Sequence, residues 1–200
     1  MTLDKLVLAS GNTGKLKEFG EILGPLDIRL HAQSEFDVSS IPETGLTFVE
    51  NAILKARHAA KITGLPALAD DSGLVVQALN GAPGIYSARY AGVDASDKDN
   101  VQKLLNDLAD VKQEHRDAYF FCTLVLLLHA DDPTPLIAQG RWHGTIATAP
   151  IGDGGFGYDP VFYLSNLKCT AAELEKAQKN QISHRGKAVA DLINQLKPQA

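Results

Sequence analysis

Residues 6–23 read LVLASGNTGKLKEFGEIL. The apolar run Leu6–Ser10 has the character of a buried strand. Lys15–Leu23 follows with apolar residues at helical spacing and is closed by Gly24-Pro25. A strand, a glycine-bearing turn and a helix within about twenty residues is the first step of an α/β fold. The turn raises a chemical question, because a lysine at a helix start next to glycines is a phosphate-binding arrangement. A Walker loop needs G-x-x-x-x-G-K-[ST]. Here only two residues separate Gly11 from Gly14, and Leu16 stands where the hydroxyl should be. That reading fails. Two remain: a phosphate cradle using free N–H groups, the helix dipole and the Lys15 charge, or an ordinary tight turn.

Working outward, Ile28–Ala32 reads as a second strand and Ser39–Leu46 as a loop. Thr47–Thr63 reads as a helix whose Thr47 and Glu50 form a capping box. Ala67–Ala69 reads as a short strand stopping at Asp70-Asp71-Ser72-Gly73, with Leu74–Ala78 extended beyond it and a firm turn at Asn80–Gly84. Further on come a helix over Asp97–Leu108, a long strand over 118–129 and its neighbour Leu136–Thr145. The glycine-rich loop Gly152–Gly157 precedes a short strand near Val161–Leu164. Helices are expected to start at Thr170, with Glu173 completing a capping box, and at Ser183. Strand–helix alternation followed by an adjacent strand pair predicts an α/β protein with a mixed β-sheet flanked by helices.

The chain has 200 residues, which suits one domain over 1–200, either undivided or in two lobes. Its formal charge is −5, from 19 Lys+Arg against 24 Asp+Glu, and this argues against a surface that coats nucleic acid polymers. Cys122 and Cys169 are far apart and form no Cys-x-x-Cys pair, so they read as reduced core thiols rather than zinc ligands. Asp4 and Lys5 interrupt the N-terminal apolar stretch, so no signal peptide is read there. The longest apolar run, Ala118–Leu128, falls short of the roughly twenty residues of a spanning helix and reads as a strand buried on both faces. A soluble, cytoplasmic protein with no membrane association is expected.

Three further stretches carry candidate chemistry. In Ala69-Asp70-Asp71-Ser72-Gly73, adjacent residues of an extended segment point to opposite faces, so one carboxylate faces a site and the other supports it; a solvated turn is the alternative. Glu43 lies in the loop Ile41–Gly45, and a loop carboxylate together with one from a strand end suits magnesium, which takes few protein carboxylates. Glu50 competes for that role but is better used in its cap. In Ile182-Ser183-His184-Arg185-Gly186, two basic residues stand at the unfavourable end of a helix dipole, which a bound anion or carbonyl would explain; an exposed basic turn is the alternative. Lys179 precedes them in what reads as a connection. Phe156-Gly157-Tyr158-Asp159-Pro160 sets aromatics in a glycine-rich loop, where they suit stacking on a flat ring better than packing in a core. Trp142 reads as packing, and His31, His58, His115, His129 and His143 lack metal-ligand spacing.

Taken in order, SGNTGK at 10–15, ETGLTFVENAILKA at 43–56, ADDSG at 69–73, GAPGIYSARY at 81–90, GGFGYDP at 154–160 and ISHRG at 182–186 resemble the inosine/xanthosine triphosphate pyrophosphatases, in their bacterial form. The resemblance implies an elongated mixed sheet in two lobes with an active-site cleft between them, a homodimer and dependence on Mg2+. It implies hydrolysis of non-canonical purine nucleoside triphosphates to the monophosphate and pyrophosphate. By the same likeness Ser10, Gly11, Asn12, Thr13, Gly14 and Lys15 form the triphosphate cradle. Asp71 is the general base and, with Glu43, a metal ligand. Lys15 and Lys55 neutralise phosphate charge, and Ser72 contacts substrate. Phe156, Gly157, Tyr158 and Asp159 form the base-binding loop, with Lys179, His184 and Arg185 as further contacts. A nucleotide-binding regulator without turnover is the main rival, and the paired carboxylates of ADDSG count against it.

Overall fold

Strand β1 (Lys5–Leu8) is buried from Leu6 onward, as its apolar run requires. The structure, a computed structural model, describes residues 4–11, 13–24 and 28–197. Helix α1 (Thr13–Leu23) lays Phe19 and Leu23 against Leu6, Leu8 and Leu68. It begins two residues before the sequence reading placed it, so Thr13 and Gly14 belong to its first turn. Asn12 of the expected cradle, and Pro25 of the expected stop, lie outside the described residues.

Strand β2 (Arg29–Ala32) runs parallel to β1 with Leu6 opposite Leu30. Helix α2 (Phe48–Thr63) starts on the expected box. The Thr47 hydroxyl accepts from Glu50 N at 3.3 Å, and the Glu50 carboxylate accepts from Thr47 N at 2.8 Å. The helix ends at Gly64, whose φ of 67° is the left-handed cap that glycine adopts without strain. Its inner face is mostly alanine, Ala52, Ala56, Ala59 and Ala60, packed with Val7, Ala9, Ala67 and Ala69.

Strand β3 (Ala67–Val76) corrects the sequence reading. It does not stop at Ala69 but runs straight through Asp70, Asp71, Ser72 and Gly73. The two carboxylates are therefore inside a strand, and the solvated-turn alternative falls. It lies parallel to β1. Helix α3 (Asp97–Asp107), strand β4 (Asp117–Leu127) and strand β5 (Leu136–Ile146) follow near their expected bounds. The short strand β6 (Phe162–Leu164) pairs antiparallel with β5, and β7 (Cys169–Thr170) pairs antiparallel with β6. Seven strands in the order β2-β1-β3-β4-β5-β6-β7 make one mixed sheet, as expected.

The Thr170–Glu173 box is present but caps only a single 3-10 turn, Ala171–Glu173. The next helix, α4 (Lys176–Ile182), therefore begins later, and it contains Lys179, which is not in a connection. Helix α5 (His184–Leu196) starts after Ser183 as read. Cys122 is buried, but Cys169 is partly exposed at the sheet edge and is not a core thiol. No described helix is long and apolar enough to cross a membrane.

The chain divides into two compact units, one of residues 1–71, 122–140 and 188–200, the other of residues 72–121 and 141–187. In the first, apolar layers form on both faces of the sheet, with α1 and α5 on one and α2 on the other. In the second, a single core gathers Leu74, Leu104, Phe120, Trp142, Tyr158 and Phe162.

Candidate active site

In the first unit, β3 alternates as a strand must. Leu68 packs with the α1 layer, and Ala67 and Ala69 pack with the α2 layer. Asp70 and Asp71 continue that alternation. Asp70, 1% exposed, meets the Lys15 ammonium at the start of α1 at 2.8 Å. Asp71, 7% exposed, meets the Lys55 ammonium of α2 at 2.9 Å. The paired acids thus serve opposite faces, each fixing one lysine. Lys55 also donates to Glu43 at 2.8 Å, which brings the Ser39–Leu46 loop to the same point. Two carboxylates, Glu43 and Asp71, converge on one cation.

Burial pushes the Asp71 carboxyl above its ordinary range, and the nearby Lys55 charge only partly offsets it. Burial works against the Lys55 charge too, but the Asp71 and Asp70 carboxylates outweigh it and hold this ammonium above its usual value. An acid made more basic by burial, with its charge partner supplied by a lysine, is an arrangement suited to taking a proton. Glu50 takes no part. Its carboxylate accepts from the Thr47 hydroxyl and from the backbone N–H groups of Leu46 and Thr47, and these bonds lower its pKa.

An open cavity of about 200 Å³ in this unit is lined by Ser10, Gly11, Lys15, Glu43 and Lys55 from the expected set. Gln33, Ser39, Ser40 and His58 also line it and were not expected from sequence. The Gln33 amide nitrogen and the Ser40 hydroxyl lie 3.8 and 4.0 Å from where a Cβ on Gly11 would sit, so the opening turn faces donors. One feature escaped the sequence reading altogether. Asn51 is fully buried, its amide oxygen accepting from Gly45 N at 2.8 Å and its amide nitrogen 3.5 Å from Asp71 Oδ2. An asparagine on an otherwise alanine helix face was the available signal, since asparagine is a poor helix former.

The second unit gathers the remaining candidates. Phe156 is 45% exposed, with the Lys179 ammonium 4.7 Å and the Arg185 guanidinium 5.8 Å from its ring centroid. Arg185 donates to the Ser72 hydroxyl at 3.4 Å. His184 is buried and stacks on Phe120 with centroids 4.8 Å apart and planes 14° from parallel. Both basic residues are buried, which removes the exposed-turn alternative. The helix start packs tightly, because a Cβ on Gly186 would collide with the Asn180 carbonyl oxygen.

Asp159 is buried and holds the loop. It accepts from Phe156 N at 2.8 Å and pairs with the Lys179 ammonium. Gly155, at φ 73°, leaves no space for a side chain against that same carboxylate. Gly157 N donates to Asp97 Oδ2 at 2.7 Å. Tyr158 departs from the sequence reading. It is 4% exposed, packs in the core and donates its hydroxyl to Ser87 O at 2.8 Å, so its ring cannot stack on a ligand. Trp142 is core, as read.

The profile of the Ham1 family matches residues 6–195. A dITP/XTP pyrophosphatase of Vibrio cholerae is 56% identical over 98% of this chain and 98% of its own length. Among solved structures, a HAM1 protein from Coxiella burnetii superposes with a TM-score of 0.92 at 54% identity, covering 96% of this chain and 98% of that one. The nucleoside-triphosphatase / dITP/XTP pyrophosphatase of Mycobacterium abscessus gives 0.79 at 41% identity, covering 94% and 98%.

Proposed function

The chain belongs to the Ham1 family, and from that premise we propose that it is a nucleoside-triphosphate pyrophosphatase. It hydrolyses inosine, deoxyinosine and xanthosine triphosphates to the monophosphate and pyrophosphate. The observation that carries this reading is the Asp70–Asp71 pair, with each buried carboxylate fixing a lysine. A protein that only bound nucleotides would need the lysines but not a carboxyl made basic by burial.

In the proposed reaction a water attacks the α-phosphorus while Asp71 accepts its proton. The bond from that phosphorus to the bridging oxygen breaks, and pyrophosphate departs with the electron pair. Lys15 and Lys55 offset the charge that accumulates on the departing oxygens. The opening turn, with Ser10, Gly11, Thr13 and Gly14, supplies N–H groups to the phosphates. Among the described residues no three acids, histidines or cysteines converge, which is short of a zinc set. Magnesium fits better, needing few carboxylates and keeping waters and phosphate oxygens. Glu43 and Asp71 would hold it, since they already share one cation in Lys55. When bound, it would supply positive charge beside the phosphates.

Base choice falls to the second unit. Phe156 offers a ring to any purine, and Lys179, His184 and Arg185 offer donors. A donor aimed at a 6-keto oxygen accepts hypoxanthine and xanthine and leaves the adenine amino group unpaired. The homodimer, the magnesium dependence and the cytoplasmic setting implied by the family likeness are carried as parts of the same proposal.

The test is product identity. The protein is incubated with deoxyinosine triphosphate and magnesium chloride, and the phosphorus products are resolved by NMR. Pyrophosphate with the monophosphate is expected. Orthophosphate would mean cleavage at another bond, and tight binding without product would favour the regulator.

A further inference from the structure

Asp71 is held at both carboxylate oxygens by one helix. Lys55 Nζ donates to Oδ1 at 2.9 Å and Asn51 Nδ2 reaches Oδ2 at 3.5 Å, from positions one turn apart on α2. The other end of the Asn51 amide accepts from Gly45 N at 2.8 Å, two residues after Glu43, whose own carboxylate returns to Lys55. Glu43, Lys55, Asp71, Asn51 and Gly45 thus close a ring of contacts around the carboxylate pair. Gly45 has no room to change, because a Cβ there would sit 2.6 Å from Glu50 Cβ and 2.8 Å from Asn51 Oδ1. Such contacts are closer than non-bonded atoms tolerate, so the loop's close approach depends on glycine.

We propose that Asn51 is a positioning residue for hydrolysis: its amide sets the orientation of the Asp71 carboxylate and, through Gly45, the place of the Glu43 loop. The inference rests on the reading of Asp71 as the base. A lysine alone fixes one oxygen and leaves the carboxylate free to rotate about its Cβ–Cγ bond. A donor at the second oxygen removes that freedom. An amide can do this while also accepting from Gly45, because it carries a donor and an acceptor on one planar group.

The two halves of the ring can be cut separately. Asn51→Asp keeps an acceptor for Gly45 N and turns the Asp71-facing donor into an oxygen. Gly45→Ala leaves Asn51 in place chemically but forces the loop off it. Asn51→Ala cuts both. Thr47→Ala loosens the cap of the same helix without touching the ring and serves as the structural control. With deoxyinosine triphosphate, Asn51→Asp and Asn51→Ala are expected to lower kcat on the order of a hundred-fold, the scale of a small misplacement of a reacting group, with KM within a few-fold of wild type. Gly45→Ala is expected to lower kcat less. Thr47→Ala is expected to lower Tm and leave kcat unchanged.

An unchanged kcat in Asn51→Ala overturns the inference. So does a kcat that falls in Thr47→Ala as far as in Asn51→Ala, since Asn51 would then act through helix stability alone. Should neither Asn51 variant fold, the residue is structural and the inference is overturned as well. Asp71→Asn, measured in parallel, separates the two levels. Normal turnover in Asp71→Asn removes the reading of the base itself, whereas an inactive Asp71→Asn beside fully active Asn51 variants removes only the positioning role.

Discussion

The two units each bury a lysine–carboxylate pair, and they use it differently. In the first, Lys55 and Lys15 meet the strand carboxylates Asp71 and Asp70, and the two lysines line a cavity. In the second, Asp159 Oδ2 accepts from Phe156 N and pairs with Lys179, so the pair holds a loop in shape and an exposed ring under two cations. One cluster is organised around charge that can be moved. The other is organised around a surface that can be matched. Under the proposed function this is a division between chemistry common to all triphosphates and recognition of one kind of base.

Removing the proton acceptor gives the largest expected effect. Asp71→Asn keeps the shape and should lower turnover roughly a hundred-fold or more, checked by steady-state kcat. Asp70→Asn, which removes the Lys15 partner, should cost less, and an inverted order would exchange the roles of the two acids. On the other side of the comparison, Phe156→Ala should weaken every purine triphosphate alike by about 1–3 kcal/mol, read from binding of non-hydrolysable analogues. A loss confined to one base would mean that the ring reads identity and not shape.

The smallest effect concerns neither cluster. Asp132 accepts from Leu128 N at 3.0 Å and Thr134 N at 2.9 Å in the turn between β4 and β5, and these bonds hold its carboxyl below the usual carboxylate range. A depressed pKa contributes stability that is present above the unfolded value and is lost as pH falls through the folded one. Asp132→Asn should therefore lower Tm by about 2–4 °C at neutral pH, and the difference from wild type should shrink as the pH falls below the ordinary aspartate value of about 3.9. A gap that widens on acidification would contradict the assignment.

Much of this was legible in the sequence because local chemistry decided it. The Thr47–Glu50 cap, the helix end at Thr63, the apolar β4 and the helix start at Ser183 all follow from neighbouring residues. What was missed depended on distant partners. The strand at Ala67–Ala69 reads as stopping at Asp70, yet it continues through Asp70-Asp71-Ser72-Gly73, because Lys15 and Lys55 arrive from two helices to neutralise the acids. Tyr158 reads as a loop aromatic, yet Ser87 O satisfies its hydroxyl and the core receives its ring. Asn51 and Gln33 carry no motif of their own, and their places appear only when the 39–46 loop and β2 are folded around the opening turn.

The division of labour is tested most directly by one set of kcat/KM values, for deoxyinosine and deoxyadenosine triphosphates, in wild type, Asp71→Asn and Arg185→Ala. The account predicts that Asp71→Asn lowers both values by the same factor and preserves their ratio. Arg185→Ala, which removes a donor beside Phe156, should lower the inosine value more and narrow the ratio. A ratio altered by Asp71→Asn, or preserved by Arg185→Ala, would contradict it.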